Sequence, residues 1–431
     1  MRTITLIRHA HPDFPLSERL CLGRTDLPLG AFGRMQAALL AVKTKDLPLG
    51  TIFSSPLLRC LETAAFLLSK DSSAGSANNR FATENNLGVP ATDDGAIRVI
   101  PDLQEQDMGP WDGLDFEEIQ KKWPDLYKQR SSNRLLLPDG AETLSSVQKR
   151  AVHAVLKALK ETEGNVTFVT HASVIQALCA YFKGTPLSES FSLRLPYTGC
   201  VQIVVPEVGT NMLGQNEESF YFSLAAPACL CRQLSLPVPP LTPVLAKQLL
   251  YAANPGEKIC RHCQKVAQKA QEIAQTLPLP LDQELLYSSA LLHDVARGEN
   301  KPTLTHDMAR PEDQPGLAVA QAVSGFIRKH PDAAVTIKKH AETGAAWLGE
   351  LGYEKAADLI RQHHDLMTDN IDEAAVLYLA DKYIQEDQEV SLEERFAASE
   401  KKCVSEEAKA AHAARRQKAF DVQNRINNLT F

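Results

Sequence analysis

TITLIRHA, residues 3–10, and VTFVTHAS, residues 166–173, decide how the first half of this chain is read. Each is a short β-prone run that stops on a histidine, His9 in the first and His171 in the second. Short apolar runs of this kind predict strands buried on both faces of a sheet. Working outward, residues 30–42 and 57–68 predict helices, and TIFS at 51–54 predicts another strand. Residues 69–98 are rich in Ser, Asn, Gly and Asp, which predicts a loop or insertion. A strand is expected at 98–100, helices at 141–162 and 173–182, and closing strands at 200–205 and 219–224. Strands alternating with helices of 10–15 residues predict an α/β domain with a mainly parallel sheet flanked by helices.

The texture changes near residue 226. PACLCRQLSLPVPPLTPV, residues 227–244, carries five prolines and reads as an extended linker. Beyond it the pattern is almost wholly helical, ending in a charged amphipathic helix over 405–428. The expected organisation is an α/β domain at 1–226, a proline-rich linker at 227–249, and an all-α domain at 250–431. A chain of 431 residues has room for two such cores. With 44% hydrophobic and 23% charged residues the composition is that of a globular protein, which excludes a disordered chain, a collagen or a coiled coil. A net charge of −7 argues against a nucleic-acid polymer as partner, while leaving room for a local phosphate pocket. The start, MRTITLIRHAHP, reads as neither signal peptide nor anchor, and no apolar run of 18 residues is present. The nine cysteines therefore read as reduced thiols in a cytoplasmic protein.

Residues just past the carboxyl ends of parallel strands face a ligand crevice. Arg8 and His9 follow the first strand, Arg59 follows TIFS, and His171 follows VTFVT, so these groups are expected to converge on one sheet edge. Two guanidiniums can grip a phosphate, a histidine between them can attack phosphorus, and Glu105 can protonate the leaving oxygen. The segments LIRHA, GRTDLPLGAFGRMQA, SSPLLRCLETA, PDLQEQDMGPWDGL, PDGAETL and VTHASVI occur in the order seen in the histidine phosphatase, or phosphoglycerate mutase-like, superfamily. The resemblance spans about residues 1–225. It implies a phosphohistidine at His9, a phosphate pocket of Arg8, Arg59 and His171, Glu105 as proton donor, Arg24 at the substrate entrance, and no cofactor. It is nearer to the short phosphatase branch than to the mutases, whose long insertion after the acid motif is missing. Ribazole-phosphate and fructose-bisphosphate-type phosphatases have similar motifs. Ala10 and Ala172 depart from the family pattern, as does His11, which stands where Glu or Gln is common.

Eight of the 12 histidines lie after residue 250. His262 sits in EKICRHCQKVAQKAQEIA, His293 and Asp294 end LLYSSALLHDVAR, and Asp381 lies in AAVLYLADKYI. His340 falls in KKHAETGAAWL, and His363 and His364 in LIRQHHDL. Imidazole and carboxylate donors on facing helices suit Fe, Mn, Zn, Ni or Co. The ordered set is similar to the HD-domain metal-dependent phosphohydrolases over about residues 255–385. It implies one or two divalent ions and attack by activated water on a phosphate ester or anhydride. The extra histidines, His340 and the pair His363 and His364, resemble the branch that binds two metals, with IRQH pointing to His363 and with His364 as its alternative. Arg297 and Lys301 are candidates for substrate contact or plain surface charge. A zinc site of Cys229, Cys231, Cys260 and Cys263 is the minor alternative to free thiols, and Trp111 and Trp347 read as packing residues. No GxGxxG or P-loop pattern occurs.

The expected protein is a bifunctional phosphohydrolase acting on small phosphorylated metabolites or nucleotides. The alternatives are one phosphatase with a metal- or nucleotide-binding regulatory module, or a scaffold.

Overall fold

The computed structural model describes residues 2–68, 97–205, 229–298, 340–401 and 403–430. The expected strand at 219–224, Lys301 and nearly all of the 69–98 insertion lie outside the described residues. By contacts the described residues divide between Pro237 and Val238 into two units.

In the first unit the elements run β1 (Arg2–Arg8), β2 (Leu20–Cys21), α1 (Ala31–Lys43), β3 (Thr51–Ser54), α2 (Leu58–Leu68) and β4 (Ile97–Val99). They continue with β5 (Leu114–Asp115), α3 (Phe116–Lys122), α4 (Pro124–Ser132), α5 (Leu144–Glu161), β6 (Val166–Thr170), α6 (Ala172–Lys183), β7 (Cys200–Val205) and β8 (Leu230–Leu234). The sheet order is β4-β3-β6-β1-β7-β8. The first four strands are mutually parallel; β7 runs antiparallel to β1, and β8 antiparallel to β7. The central strand β6 is buried at every position, which is why VTFVT reads as a continuous run rather than an alternation.

Successive residues still point to opposite faces. Ile4, Leu6, Phe53, Val166 and Phe168 pack with α5 and α6 residues such as Val155 and Leu178. Ile7, Ile52 and Val169 pack on the other side with Leu40, Cys60 and Ala64 from α1 and α2. The result is a helix–sheet–helix sandwich, as expected from the alternation in sequence. Helix α5 starts at Thr143, whose side chain accepts from Ser146 N, and α6 ends at Gly184 in the left-handed region at φ 67°.

The linker reading needs correction. Residues 230–234 form β8, with Ile203 opposite Cys231, so part of the proline-rich stretch completes the first sheet. An edge strand satisfies half its backbone on one neighbour and needs no apolar run, so LCRQL carries little strand signal. The following helix also begins earlier than the 249 boundary, at Pro243.

The second unit is helical: α7 (Pro243–Ala253), α8 (Glu257–Thr276), α9 (Gln283–Leu292), α10 (His340–Glu350), α11 (Glu354–Arg361), α12 (Glu373–Tyr383), α13 (Leu392–Glu400) and α14 (Glu406–Thr430), with a small hairpin of β9 (Ile384–Gln385) and β10 (Gln388–Glu389). Asp282, Asp372 and Ser391 cap α9, α12 and α13 through side-chain bonds to backbone N–H groups. Helix α8 packs against α9 and α12, and α10 against α11. Helix α12 is buried from Ala374 to Lys382, which marks it as the central helix of the unit.

Candidate active sites

The first site is built by strand register. Arg8 lies opposite Thr170 across the β1–β6 ladder, and the ladder is extended by His9 N donating to Thr170 O at 3.0 Å. Ser55 N donates likewise to Val169 O at 3.0 Å beyond the end of β3. The residues after three adjacent parallel strands are thereby held side by side. His9 and His171 meet with ring centroids 5.0 Å apart. Gly33 lets α1 lie close against the chain after β1, because a Cβ there would stand 1.9 Å from His11 O.

His9 Nδ1 lies 2.7 Å from Ala10 O. A carbonyl only accepts, so the proton sits on Nδ1 and the lone pair on Nε2. Burial, followed by the positive fields of Arg59 and Arg8, holds the His9 pKa well below the usual imidazole value. His171 is neutral for the same reasons, and its Nε2 contacts Ser55 Oγ at 2.8 Å. Arg59 is fully buried, with Nη1 donating to Thr25 O at 2.8 Å and Nη2 to Gly23 O at 2.7 Å. Arg8 donates to Leu195 O at 2.6 Å and lies 3.9 Å over the Tyr197 ring. The Nε atoms of both arginines are buried with no hydrogen-bond partner. Two forks with unsatisfied donors and two uncharged imidazoles make a cradle for a dianion.

Glu105 is 8% exposed, and burial raises its pKa, opposed by the bond its carboxylate accepts from Gln106 N at 2.7 Å. A carboxyl group shifted upward can hold a proton to give. Arg24 is half exposed and paired with Asp107 at 3.6 Å and Glu142 at 3.3 Å. The backbone of residues 23–25 is folded around Asp112, whose carboxylate accepts from Gly23 N, Arg24 N and Thr25 N at 2.7–2.9 Å. His11 is nearly buried among Phe14, Phe32 and Tyr197, and its pKa is pulled down to about 4 by that burial.

Ser55, Asp112, Glu142, Arg150 and Tyr197 were not singled out from the sequence. Tyr197 comes just before β7, an antiparallel strand, so the start of β7 shares an edge with the end of β1. Looking only past the ends of strands misses it.

The second site lies in the helical unit. Asp294, His340, His363 and His364 form one group, and His262, His293 and Asp381 another; within each group the ligand atoms lie within 4.8 Å of one another. Asp294 touches both. Its Oδ1 is 2.9 Å from His340 Nε2 and 3.5 Å from His363 Nε2, while Oδ2 is 3.7 Å from the Nε2 of both His262 and His293. Asp381 Oδ1 is 3.3 Å from His262 Nε2 and 3.6 Å from His293 Nε2. His364 Nε2 lies 2.9 Å from His340 Nε2, so the geometry brings both members of the His363–His364 pair into the group.

Three of these rings have their orientation locked from behind. His262 Nδ1 donates to Glu386 O at 2.6 Å, His293 Nδ1 to Ala290 O at 2.7 Å, and His363 Nδ1 to Ile360 O at 2.6 Å. Their Nε2 lone pairs then converge on carboxylate oxygens, and all three Nε2 atoms and Asp294 Oδ1 are buried with no hydrogen-bond partner. Lone pair facing lone pair is repulsive unless a proton or a cation stands between. Burial opposes charge on His293, yet Asp294, Cys263 and Asp381 raise its pKa well above the usual value. The donor set, with its rings held by backbone carbonyls, fits a divalent metal. Arg297 Nη1 holds Asp294 Oδ2 at 2.6 Å, and buried Lys382 holds Asp381 Oδ2 at 2.8 Å and His363 O at 2.9 Å. No cysteine belongs to either group, and all nine cysteines are free thiols. Trp111 is buried with Met108, Leu114 and Ile119. Among the described residues no helix is long and apolar enough to cross a membrane.

Two family models match the chain. The model of the histidine phosphatase superfamily (branch 1) matches residues 4–78 and 88–218, and that of the HD domain matches residues 259–385. The chain is 29% identical over 181 residues to phosphoglycerate mutase-like protein 4 of Arabidopsis thaliana, covering 41% of this chain and 68% of that protein. It is 28% identical over 186 residues to the uncharacterized phosphatase PhoE of Bacillus subtilis (43% and 79%). To a metal-independent phosphoserine phosphatase of Arabidopsis thaliana it is 27% identical over 195 residues (44% and 71%).

Proposed function

We propose that this chain, which carries a histidine phosphatase superfamily domain and an HD domain, is a phosphohydrolase with two independent reaction centres. The first hydrolyses a phosphomonoester of a small metabolite or nucleotide through a phosphohistidine at His9. The observation that carries this reading is the Nδ1–H bond of His9 to Ala10 O, which leaves Nε2 as a lone pair beside two buried guanidiniums. Arg8 and Arg59 bind the phosphoryl oxygens through the donors that lack partners. His9 Nε2 attacks phosphorus, the P–O bond to the leaving group breaks, and Glu105 gives that oxygen its proton. His171, uncharged and between the arginines, donates to a phosphoryl oxygen as charge builds there. Glu105, now ionised, takes a proton from the water that releases phosphate from His9. Arg24 stands at the substrate entrance.

The second centre hydrolyses a phosphoester or phosphoanhydride in the HD domain. His262, His293, Asp294 and Asp381 would hold one divalent ion, and Asp294, His340, His363 and His364 a second. Bound there, such ions supply Lewis acidity and lower the pKa of water. The backbone bonds at Nδ1 of His262, His293 and His363 aim their Nε2 atoms at the metal side, Arg297 and Lys382 limit the net negative charge of the carboxylates, and Asp294 joins the two groups.

EDTA separates the centres. Turnover of a phosphomonoester that survives EDTA and disappears in His9→Ala belongs to the first. Turnover lost in EDTA and in Asp294→Ala belongs to the second. A chain in which EDTA abolishes every activity would reject the metal-independent mechanism, and one indifferent to EDTA on a full panel of phosphate esters and anhydrides would reject the HD reaction.

A further inference from the structure

Glu105 sits on a segment with almost no regular structure: a single turn at Pro101–Leu103, followed by extended chain. A proton donor must nevertheless be placed to within about 0.5 Å and 10–20° to act. The side chain that places it comes from α5. Arg150 Nη1 donates to Asp102 O at 2.6 Å and to Gln104 O at 2.7 Å, and Nη2 donates to Glu105 O at 3.1 Å. The carbonyls of residues 104 and 105 belong to the two peptide planes on either side of the Glu105 Cα. One planar guanidinium thus sets the direction of the Glu105 Cα–Cβ bond.

The fork is itself held. Glu142 Oε1 accepts from Arg150 Nε at 2.8 Å, and Oε2 from Nη2 at 2.9 Å. Glu142 also grips the far end of the segment. Its N donates to Asp107 O at 2.8 Å, its Oε2 accepts from Asp107 N at 3.3 Å, and its carbonyl accepts from Gln106 Nε2 at 2.7 Å. The same Oε2 reaches Arg24 Nη2 at 3.3 Å. Arg150 and Glu142 are only 15% and 12% exposed, so these bonds are little weakened by competing water.

We infer that Arg150, fixed by Glu142, is the positioning residue for the proton donor of the first centre, acting through the backbone on both sides of Glu105. The inference rests on the reading of Glu105 as general acid. It does not concern charge: Arg150 touches the carbonyl of Glu105, and the carboxylate reports only the direction in which the backbone aims it. A lysine would keep the charge but could not span three carbonyls and a carboxylate from one plane.

The test compares two phosphate monoesters in the full chain with EDTA present. An alkyl phosphate has a poor leaving group and needs the proton; p-nitrophenyl phosphate does not. Glu105→Gln, Arg150→Met, Arg150→Lys and Glu142→Gln are measured side by side, with thermal melts to confirm folding. The expected result for Arg150→Met and Arg150→Lys alike is a loss on the alkyl phosphate of about tenfold or more, part of the roughly 100- to 10,000-fold that a positioned acid supplies. The loss on p-nitrophenyl phosphate should be several times smaller, and the basic limb of the alkyl phosphate pH profile should shift. Glu142→Gln should lose in the same direction but less. If Glu105→Gln is selective while the folded Arg150 variants lose both substrates equally, or neither, Arg150 is not the positioning residue. If Glu105→Gln itself loses both substrates equally, the general-acid reading fails and the inference falls with it. Full rescue by Arg150→Lys would show that charge, not the fork, matters and would overturn the argument from geometry.

Discussion

The imidazoles of His9 and His171 meet edge to face, with centroids 5.0 Å apart and planes at 63°. Both are buried within the positive fields of the same two arginines, so neither can gain a proton without facing three cations or potential cations. His9→Ala should therefore abolish metal-independent turnover and the acid-labile phosphoenzyme together. Phosphoenzyme detected by 32P labelling in that variant would place the nucleophile elsewhere.

The arginines differ in what else they hold. Arg59 ties down Gly23 O and Thr25 O and is fully buried, whereas Arg8 bonds Leu195 O and covers Tyr197. Each →Ala change should lower kcat/KM by roughly 100- to 1,000-fold, the cost of one preorganised donor. Arg59→Ala should also lower the melting temperature, because two buried carbonyls lose their partners. Unchanged kcat/KM in either variant would remove that arginine from the site.

The pH profile follows from two opposite shifts. Reaction needs His9 unprotonated, and its pKa is held well below 6.5, so activity should persist well below pH 6.5 and fall only as pH drops through the depressed value. It also needs Glu105 protonated, and burial raises that pKa above 4.5, so activity on an alkyl phosphate should fall as pH rises through the raised value. In Glu105→Gln the basic limb should vanish. A basic limb that persists unaltered would assign it to another group.

In the helical unit, metal analysis of purified protein should find about one to two equivalents of Fe, Mn, Zn, Ni or Co. Asp294→Ala should lose the metal from both groups, because one carboxylate faces both, while the EDTA-resistant activity is retained. His364→Ala should lower occupancy of the second group alone. Unaltered metal content in Asp294→Ala would separate that residue from the site.

Added divalent metal should also raise the melting temperature of the wild-type chain, since ligand bound to the native state stabilises it by mass action. The shift should be lost in His293→Ala. An equal shift in both proteins would mean that the ion binds elsewhere.

Much of this was legible along the chain because strand ends and helix faces are local properties. TITLIRHA and VTFVTHAS each contain both the apolar run that makes a buried strand and the histidine left at its end. The motifs around Arg59, His262, His293 and Asp381 likewise sit in, or at the end of, elements whose type their own periodicity reveals, whereas Glu105 lies on a segment with almost no regular structure. Strand β8 was read as linker, because an edge strand takes its partners from β7 and leaves almost no apolar imprint of its own.

What only the tertiary structure decided is which atoms meet. The sequence determined that His9, His171, Arg8 and Arg59 stand at or beyond the ends of strands; the order β3-β6-β1 made them neighbours. It supplied His363 and His364 as adjacent alternatives, and folding brought both to Asp294 and His340. Arg150 lies 45 residues from Glu105 on an amphipathic helix whose apolar face packs on the sheet, and nothing near either residue announces the other. Hydrogen bonds to backbone carbonyls depend on peptide orientation, not on side-chain type, so the bonds that lock the rings of His9, His262, His293 and His363, and those that aim Glu105, exist only once the chain is folded.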